Sequence, residues 1–232
     1  ILRLLLRCSC RMVSENQAMQ HDLRVRDLTA QGTRQAALHE QAVAEAFKRF
    51  GRRVFVRGVV EVSNFCRENC HYCGIRRDNR TLARARARYD KLAELLVHHR
   101  PEAIRDVAIQ SGEDPIAARE VVLPLVRTLH RQTNLGISVC LGTHDSDIYE
   151  EIKAAGASIY VMKFETADPR RYDQIAAPGS LARRLTHVRR LAASGWRVSS
   201  GFIAGLPGEG ASELMESCRL AGELPLHGCS VS

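Results

Sequence analysis

Apolar and polar positions follow two rhythms along this chain, and the rhythms take turns. Val54, Val56, Gly58, Val60 and Val62 alternate with Phe55, Arg57, Val59, Glu61 and Ser63. A period of two is that of a strand with one apolar and one mixed face. Ahead of it, Ala36, Ala37, Val43, Ala46, Phe47 and Phe50 recur at helical spacing, so residues 22–50 read as one or two helices ended by Gly51. Beyond it the pattern predicts a helix over 90–99, a strand over 106–111, a helix over 117–132 and a strand over 137–142. A helix over 147–155, a strand over 158–165, a helix over 180–194, a strand over 197–204, a helix over 211–222 and a strand over 228–232 complete it. Gly136, Gly156 and Gly195 fall at helix-to-strand turns, where a left-handed cap is expected.

Strands separated by helices run parallel and cross over with one hand, so the chain is expected to be an α/β protein with a parallel sheet of six strands, curled or open. Polar residues gather near the carboxyl ends of several strands: Ser63 and Asn64, Gln110 and Ser111, Glu165 and Thr166. Parallel α/β folds build their sites at those ends. Lys163 and Glu165, two apart on one strand, read either as site residues or as an internal ion pair.

Composition narrows the picture. At 232 residues and 45% hydrophobic, the chain can bury one sizeable core. The natural division is a helical amino-terminal extension, 1–50, followed by the main α/β unit, 51–232. A net charge of +8 permits attraction to anions, but the arginines are scattered apart from Arg76, Arg77, Arg84, Arg86 and Arg88, and only 5% of residues are aromatic. A solvated basic face is expected rather than a nucleic-acid surface. No run of 18 apolar residues argues for a membrane span, and the apolar run Ile1–Leu6 is too short and interrupted for a signal peptide. The chain starts at Ile and stops in an apolar segment, which reads as a piece of a longer protein.

Eight cysteines are present, three of them within eight residues, while Cys140, Cys218 and Cys229 sit in apolar periodic segments. That usage fits a reducing compartment, the cytoplasm, rather than a disulfide framework. Cys8 and Cys10 read as an idle pair. Cys66, Cys70 and Cys73 have the spacing of one metal-wrapping loop. Spacing leaves three readings: an iron-sulfur cluster with one iron left open, a zinc site, or three free thiols. Zinc usually takes four ligands, and His71, squeezed between Cys70 and Cys73, cannot easily reach the same ion, which favours the cluster. His98 and His99 end a helix and complement its dipole, and His144 and His187 have no partner at ligand spacing.

Cys66, Cys70 and Cys73 with the aromatic Tyr72 resemble the motif of the radical S-adenosylmethionine (SAM) superfamily. The segments Gln110–Pro115 and Gly201–Glu209 resemble its second-strand and fifth-strand motifs. The strings Glu61–Arg67, Cys73–Asn79 and Glu165–Ala167 are similar to the biotin-synthase-related group, and within it to the HydE type of iron-iron hydrogenase maturase. The resemblance implies a parallel TIM-type barrel, truncated here after about six strands, with its carboxyl-terminal strands missing. It implies a 4Fe-4S cluster on Cys66, Cys70 and Cys73, with SAM on the open iron. Glu113 would accept hydrogen bonds from the SAM ammonium, and Gly112 would let the backbone approach, beside Ser111. Arg184 would pair with the SAM carboxylate, although a solvated helical arginine is equally consistent with its position. Glu165 would reach the ribose or ammonium, the peptide beside Tyr72 would meet the adenine, and Gly201, Ile203 and Gly205 would pack under it. A small-molecule substrate and an electron donor such as flavodoxin or ferredoxin are the implied partners.

Departures also count. Ser199 stands where biotin synthase would place a cysteine for a second cluster, and Cys140 is near such a position but out of register, as a core cysteine would be. Lys163, Phe164 and Thr143 stand where the maturase would have Arg, His and Glu. An amino-acid mutase resembling methylornithine synthase, and a truncated protein that binds a cluster or zinc without turnover, are the alternative readings.

Overall fold

The computed structural model describes residues 24–232. The expectations for Cys8, Cys10 and the first half of the extension lie outside these residues. Six strands form one parallel sheet in sequence order: β1 (Arg57–Ser63), β2 (Asp106–Ser111), β3 (Gly136–Cys140), β4 (Ile159–Val161), β5 (Arg197–Phe202) and β6 (Gly228–Val231). Each crossover steps in the same direction, so helices accumulate on one face and leave the other free. This is the topology of a partial (β/α) barrel.

The extension contributes α1 (Val25–Leu28) and α2 (Gly32–Phe50). Between strands lie α3 (Tyr89–Glu94, continued by a π-helical turn Leu95–His99) and α4. The latter runs from Pro115–Ala117 through a π-helical turn Ala118–Val122 to Leu123–Gln132. Then come α5 (Ser146–Ala154), α6 (Pro169–Gln174), α7 (Leu181–Ala193) and α8 (Ala211–Glu223).

The helix-facing side of the sheet is the core. Val60, Val62, Val107, Ile109, Ile137, Val139, Tyr160, Met162, Val198 and Phe202 point into it, against Leu125 and Leu129 of α4, Ile152 of α5 and Leu191 of α7. Alternate residues face the other way. Val59 is 61% exposed and Glu61 is exposed. One residue carries a simple prediction. Ile109 is fully buried in mid-strand, so Ile109→Val removes one methylene from close packing, and urea unfolding should show a loss of about 1 kcal/mol.

Differences from the sequence expectation have local causes. The strand expected from Val54 begins at Arg57, where pairing with Asp106 becomes available; Val54, Phe55 and Val56 precede it and remain exposed. Helix α6 is additional to the expected elements, started by Asp168, whose carboxylate accepts from the amides of Arg170 and Arg171, with Pro169 in the first turn. Strand β4 is shorter than expected, ending at Val161, although the Met162 and Phe164 amides still donate to Ser199 O and Gly201 O before Glu165 turns left-handed at φ 66°. Gly156 and Gly195 have the positive φ expected of caps, but Gly136 does not. It opens β3, and a Cβ there would fall 2.1 Å from Asp106 Oδ1, so its requirement is close approach.

Candidate active site

The three cysteines lie on the loop leaving β1, folded over the carboxyl end of β2. Cys70 is buried, and Cys66 and Cys73 are half-buried. Cys66 Sγ accepts hydrogen bonds from the amides of Glu68 (3.4 Å) and Glu113 (3.3 Å), and the Cys73 amide donates to Cys70 O at 3.0 Å. Burial pushes the Cys66 thiol up and the Cys70 thiol to about 11, and negative charge on Cys73 raises both further. Metal binding at this loop must therefore release protons.

Close approach is built in at Gly112. A Cβ there would stand 2.2 Å from Phe65 O and 2.6 Å from the Cβ of Cys66. Zinc usually takes four ligands on one ion, and the loop offers three thiols. A cluster places no such demand, since each of its irons takes its own thiolate. The donor set, three thiols on one loop with amides directed at Cys66, fits a cluster.

Behind the thiols sits a buried charged knot. Glu113, 5% exposed, accepts at Oε1 from the Thr143 amide (2.7 Å) and Arg184 Nη1 (3.4 Å), and at Oε2 from Arg67 Nε (3.2 Å). Arg184, 6% exposed, also donates to Thr143 Oγ1 at 2.7 Å and to Lys163 O at 2.9 Å. The alternative of a solvated helical arginine is thereby overturned: Arg184 projects from α7 into the protein. Gly142 is required beside this knot, because at φ 74° its Cβ would lie 2.1 Å from Glu113 Cγ. Arg67 and Thr143, which close the knot, were not among the expected cofactor contacts.

The Glu165 carboxyl is buried, 6% exposed, in the segment that follows β4. Burial raises it above the usual carboxylate range, against the opposing charges of Lys163 and Arg184 and a hydrogen bond from Tyr72. Tyr72 itself is 41% exposed at the loop surface. No Lys163–Glu165 ion pair forms among the described residues; the Lys163 ammonium donates to Ser232 Oγ at 2.6 Å. Ser111 Oγ donates to Gly112 O. Gly201 lies on β5, where a Cβ would meet Ser230 O at 1.9 Å; Ile203 follows, its amide donating to Glu165 O; Gly205 turns at φ 90° with its amide on Glu209. Phe164 is fully buried against Phe202 and faces the core. Cys140, read from sequence as a core residue, pairs with Gln110 on the half-open inner face, where burial raises its thiol.

A second anchor was not apparent from sequence. Asp114 caps α4, accepts from Ser63 Oγ at 2.6 Å, and holds Arg86 through Nε (2.6 Å) and Nη2 (3.1 Å). The Arg86 guanidinium lies 4.0 Å over the Phe65 ring, next to Cys66. Arg86 is exposed, as expected of the basic face, but its guanidinium is held in place by Asp114 and Phe65.

Residues 60–221, which carry the thiol loop, the Glu113 knot and five of the six strands, match the family described as the Radical SAM superfamily. The chain belongs to the radical SAM superfamily. It is similar to the FeFe hydrogenase maturase subunit HydE of Thermotoga maritima, 32% identical over 169 residues, covering 73% of this chain and 48% of that protein. It is also similar to a biotin synthase of a Nocardioides species, 32% identical over 192 residues, covering 78% of this chain and 50% of that protein. The chain thus spans about half the length of these curated relatives. The crystal structure of methylornithine synthase (PylB) shares the fold, with TM-score 0.78 at 19% identity over 94% of this chain and 67% of that one. No helix among the described residues is long and apolar enough to cross a membrane.

Two histidines flank the site in this radical SAM chain. His144 and His187, which sequence spacing left unpartnered, meet at one hydroxyl: the His144 amide donates to Tyr149 Oη at 2.8 Å, and His187 Nδ1 lies 3.2 Å from it. Burial lowers both imidazoles. A depressed folded-state value means the unfolded chain binds the proton more readily, so the stabilisation is complete above about pH 6.5 and is lost as pH falls through the folded values. The thermal midpoint of the iron-free protein should fall between pH 7 and 5.5, and His144→Gln should reduce that fall.

Proposed function

We propose that this chain is the cofactor-binding part of a radical SAM enzyme of the HydE and biotin-synthase group, with residues 51–232 forming the core that carries the chemistry. The observation that supports it best is the thiol loop folded onto the buried Glu113–Arg184 knot. Cys66, Cys70 and Cys73 would hold a 4Fe-4S cluster. Glu113 and Arg184 offer one negative and one positive group, already desolvated, for the ammonium and carboxylate of SAM. Together these cofactors supply, when bound, one-electron reduction of the sulfonium and a 5′-deoxyadenosyl radical. Tyr72, Ser111, Gly112, Glu165, Gly201, Ile203 and Gly205 would line that place from the loop and the strand ends. The task of the protein is positioning and exclusion of water.

The substrate reading follows the HydE resemblance: a small molecule in hydrogenase cofactor maturation. Ser199 on β5 argues against sulfur insertion of the biotin-synthase kind, since no thiol stands there for a second cluster. A second reading, rearrangement of an amino acid, is favoured by the inner face itself, which carries Glu61 bonded to Gln110 on one side and Lys163 on the other. A low-potential one-electron donor, flavodoxin or ferredoxin, would supply the electron in the cytoplasm. The deciding assay is anaerobic incubation of the iron- and sulfide-loaded chain with SAM and a chemical reductant. Methionine and 5′-deoxyadenosine formed in equal amounts support the reading, and no cleavage by a fully loaded chain overturns it.

A further inference from the structure

The segment that follows the cysteines is organised around one side chain. Arg84 Nη1 donates to the carbonyls of Asn64 and Ile75 (2.8 Å for the latter), and Nη2 donates to those of Arg76 (2.6 Å), Asn79 (3.2 Å) and Arg77 (3.4 Å). Five carbonyl oxygens thus face one guanidinium, and no carboxylate is among its partners. Carbonyl dipoles gathered on one point repel each other, so this loop shape requires a cation at its centre. The planar fork of arginine, with five N–H donors, can serve several acceptors at once; an ammonium has three.

The turn that Arg84 gathers is tied directly to the thiols. The Arg76 amide and Arg76 Nη1 both donate to Cys73 O, at 3.3 and 3.1 Å, and the Arg77 amide donates to Glu68 O at 2.8 Å. Arg84 is itself fixed to the sheet. Its neighbours pair with Asn64, the Ala85 amide donating to Asn64 Oδ1 at 2.7 Å and Asn64 Nδ2 to Ala83 O at 2.8 Å. The Ala87 amide donates to Val62 O at 2.8 Å. The path therefore runs from β1 through Arg84 to the 75–79 turn and on to Cys73.

We propose that Arg84 is a positioning residue that folds the thiol loop into ligating shape before iron arrives. The proposal rests on the reading of Cys66, Cys70 and Cys73 as cluster ligands, but its first test does not need the cluster. Amide hydrogen exchange of the iron-free full chain should show Arg76, Arg77 and Asn79 protected, exchanging at least about tenfold slower than free chain. Arg84→Gln should remove that protection across 64–80 while leaving β2–β5 unchanged, and should slow uptake of iron(II) and sulfide about tenfold at an unchanged final content. Arg84→Lys should restore part of both, and Arg88→Gln, at an exposed residue bonded to Asp90, should alter neither.

Two results would overturn the proposal: free-chain exchange of the loop in the iron-free parent, or a glutamine variant that matches the parent in both exchange and uptake. If Arg84→Gln also loses protection in the sheet, the lysine variant decides by the same two readings. A parent chain that protects its loop yet never assembles a cluster would contradict the proposed function and leave the role of Arg84 in folding the loop standing.

Discussion

Cys70→Ala is expected to abolish SAM cleavage, lowering it at least about a thousandfold under conditions in which the parent chain turns over. Cys70 is the most buried of the three thiols, and its carbonyl receives the Cys73 amide, so in the proposed site it would be the inner ligand around which the loop closes. With only two thiolates left on the loop, the cluster lacks a ligand that water cannot replace stably. Iron content should fall with activity. The fold should not follow, because Cys70 is not part of the hydrophobic core that packs the sheet against α4, α5 and α7. Circular dichroism and the urea midpoint of the iron-free variant should therefore stay close to the parent values, which separates loss of a ligand from loss of structure.

Arg184→Met carries the second large effect, and here the fold itself is the readout. The guanidinium is the one cation shared by Glu113, Thr143 Oγ1 and Lys163 O. Removing it leaves a buried carboxylate with only Arg67 Nε and the Thr143 amide, and leaves Lys163 O without this donor. Truncating one partner of a buried pair typically costs about 3–5 kcal/mol. Half-exposed Arg67 retains part of the compensation, so the lower end, about 3 kcal/mol, is expected from urea unfolding of the iron-free protein. Arg183→Met, one residue away on the exposed face of α7, should stay within about 0.5 kcal/mol. In a double-mutant cycle, Glu113→Gln with Arg184→Met should cost less than the sum of the two single changes, because the carboxylate whose burial is penalised is then gone.

Much of the fold was legible because its rhythm is regular. Strand β2 occupies 106–111 as expected, since Val107 and Ile109 face the helices and their neighbours do not. Strand β1 was read too long because alternation persists through Val54 and Val56, whereas pairing depends on where β2 begins; periodicity carries no information about a partner's end. Helix α6 has its signal in Asp168-Pro169, a cap followed by proline, but six residues are too few for a helical period to register.

The site divides in a similar way. That the three cysteines share one loop was legible because they are close together in sequence. Arg184 was placed on the right helix, but its burial was invisible, because an arginine in an amphipathic pattern looks the same whether it faces water or crosses to a strand end. The contacts of Asp114 with Ser63 and of Glu113 with Arg67 and Thr143 join residues far apart in the chain, and no spacing rule reaches that far. Arg84 shows the same limit at short range. As one of three alternating arginines it reads as solvated charge, and only the backbone conformation of 75–79 turns it into the centre of the loop.

The most direct measurement is the iron and acid-labile sulfide content of the anaerobically reconstituted chain, taken together with the electron paramagnetic resonance of the reduced sample before and after SAM is added. The account predicts about four irons and four sulfides per chain and a cluster signal that changes when SAM binds. A single zinc, or a complete cluster whose signal is indifferent to SAM, would contradict it.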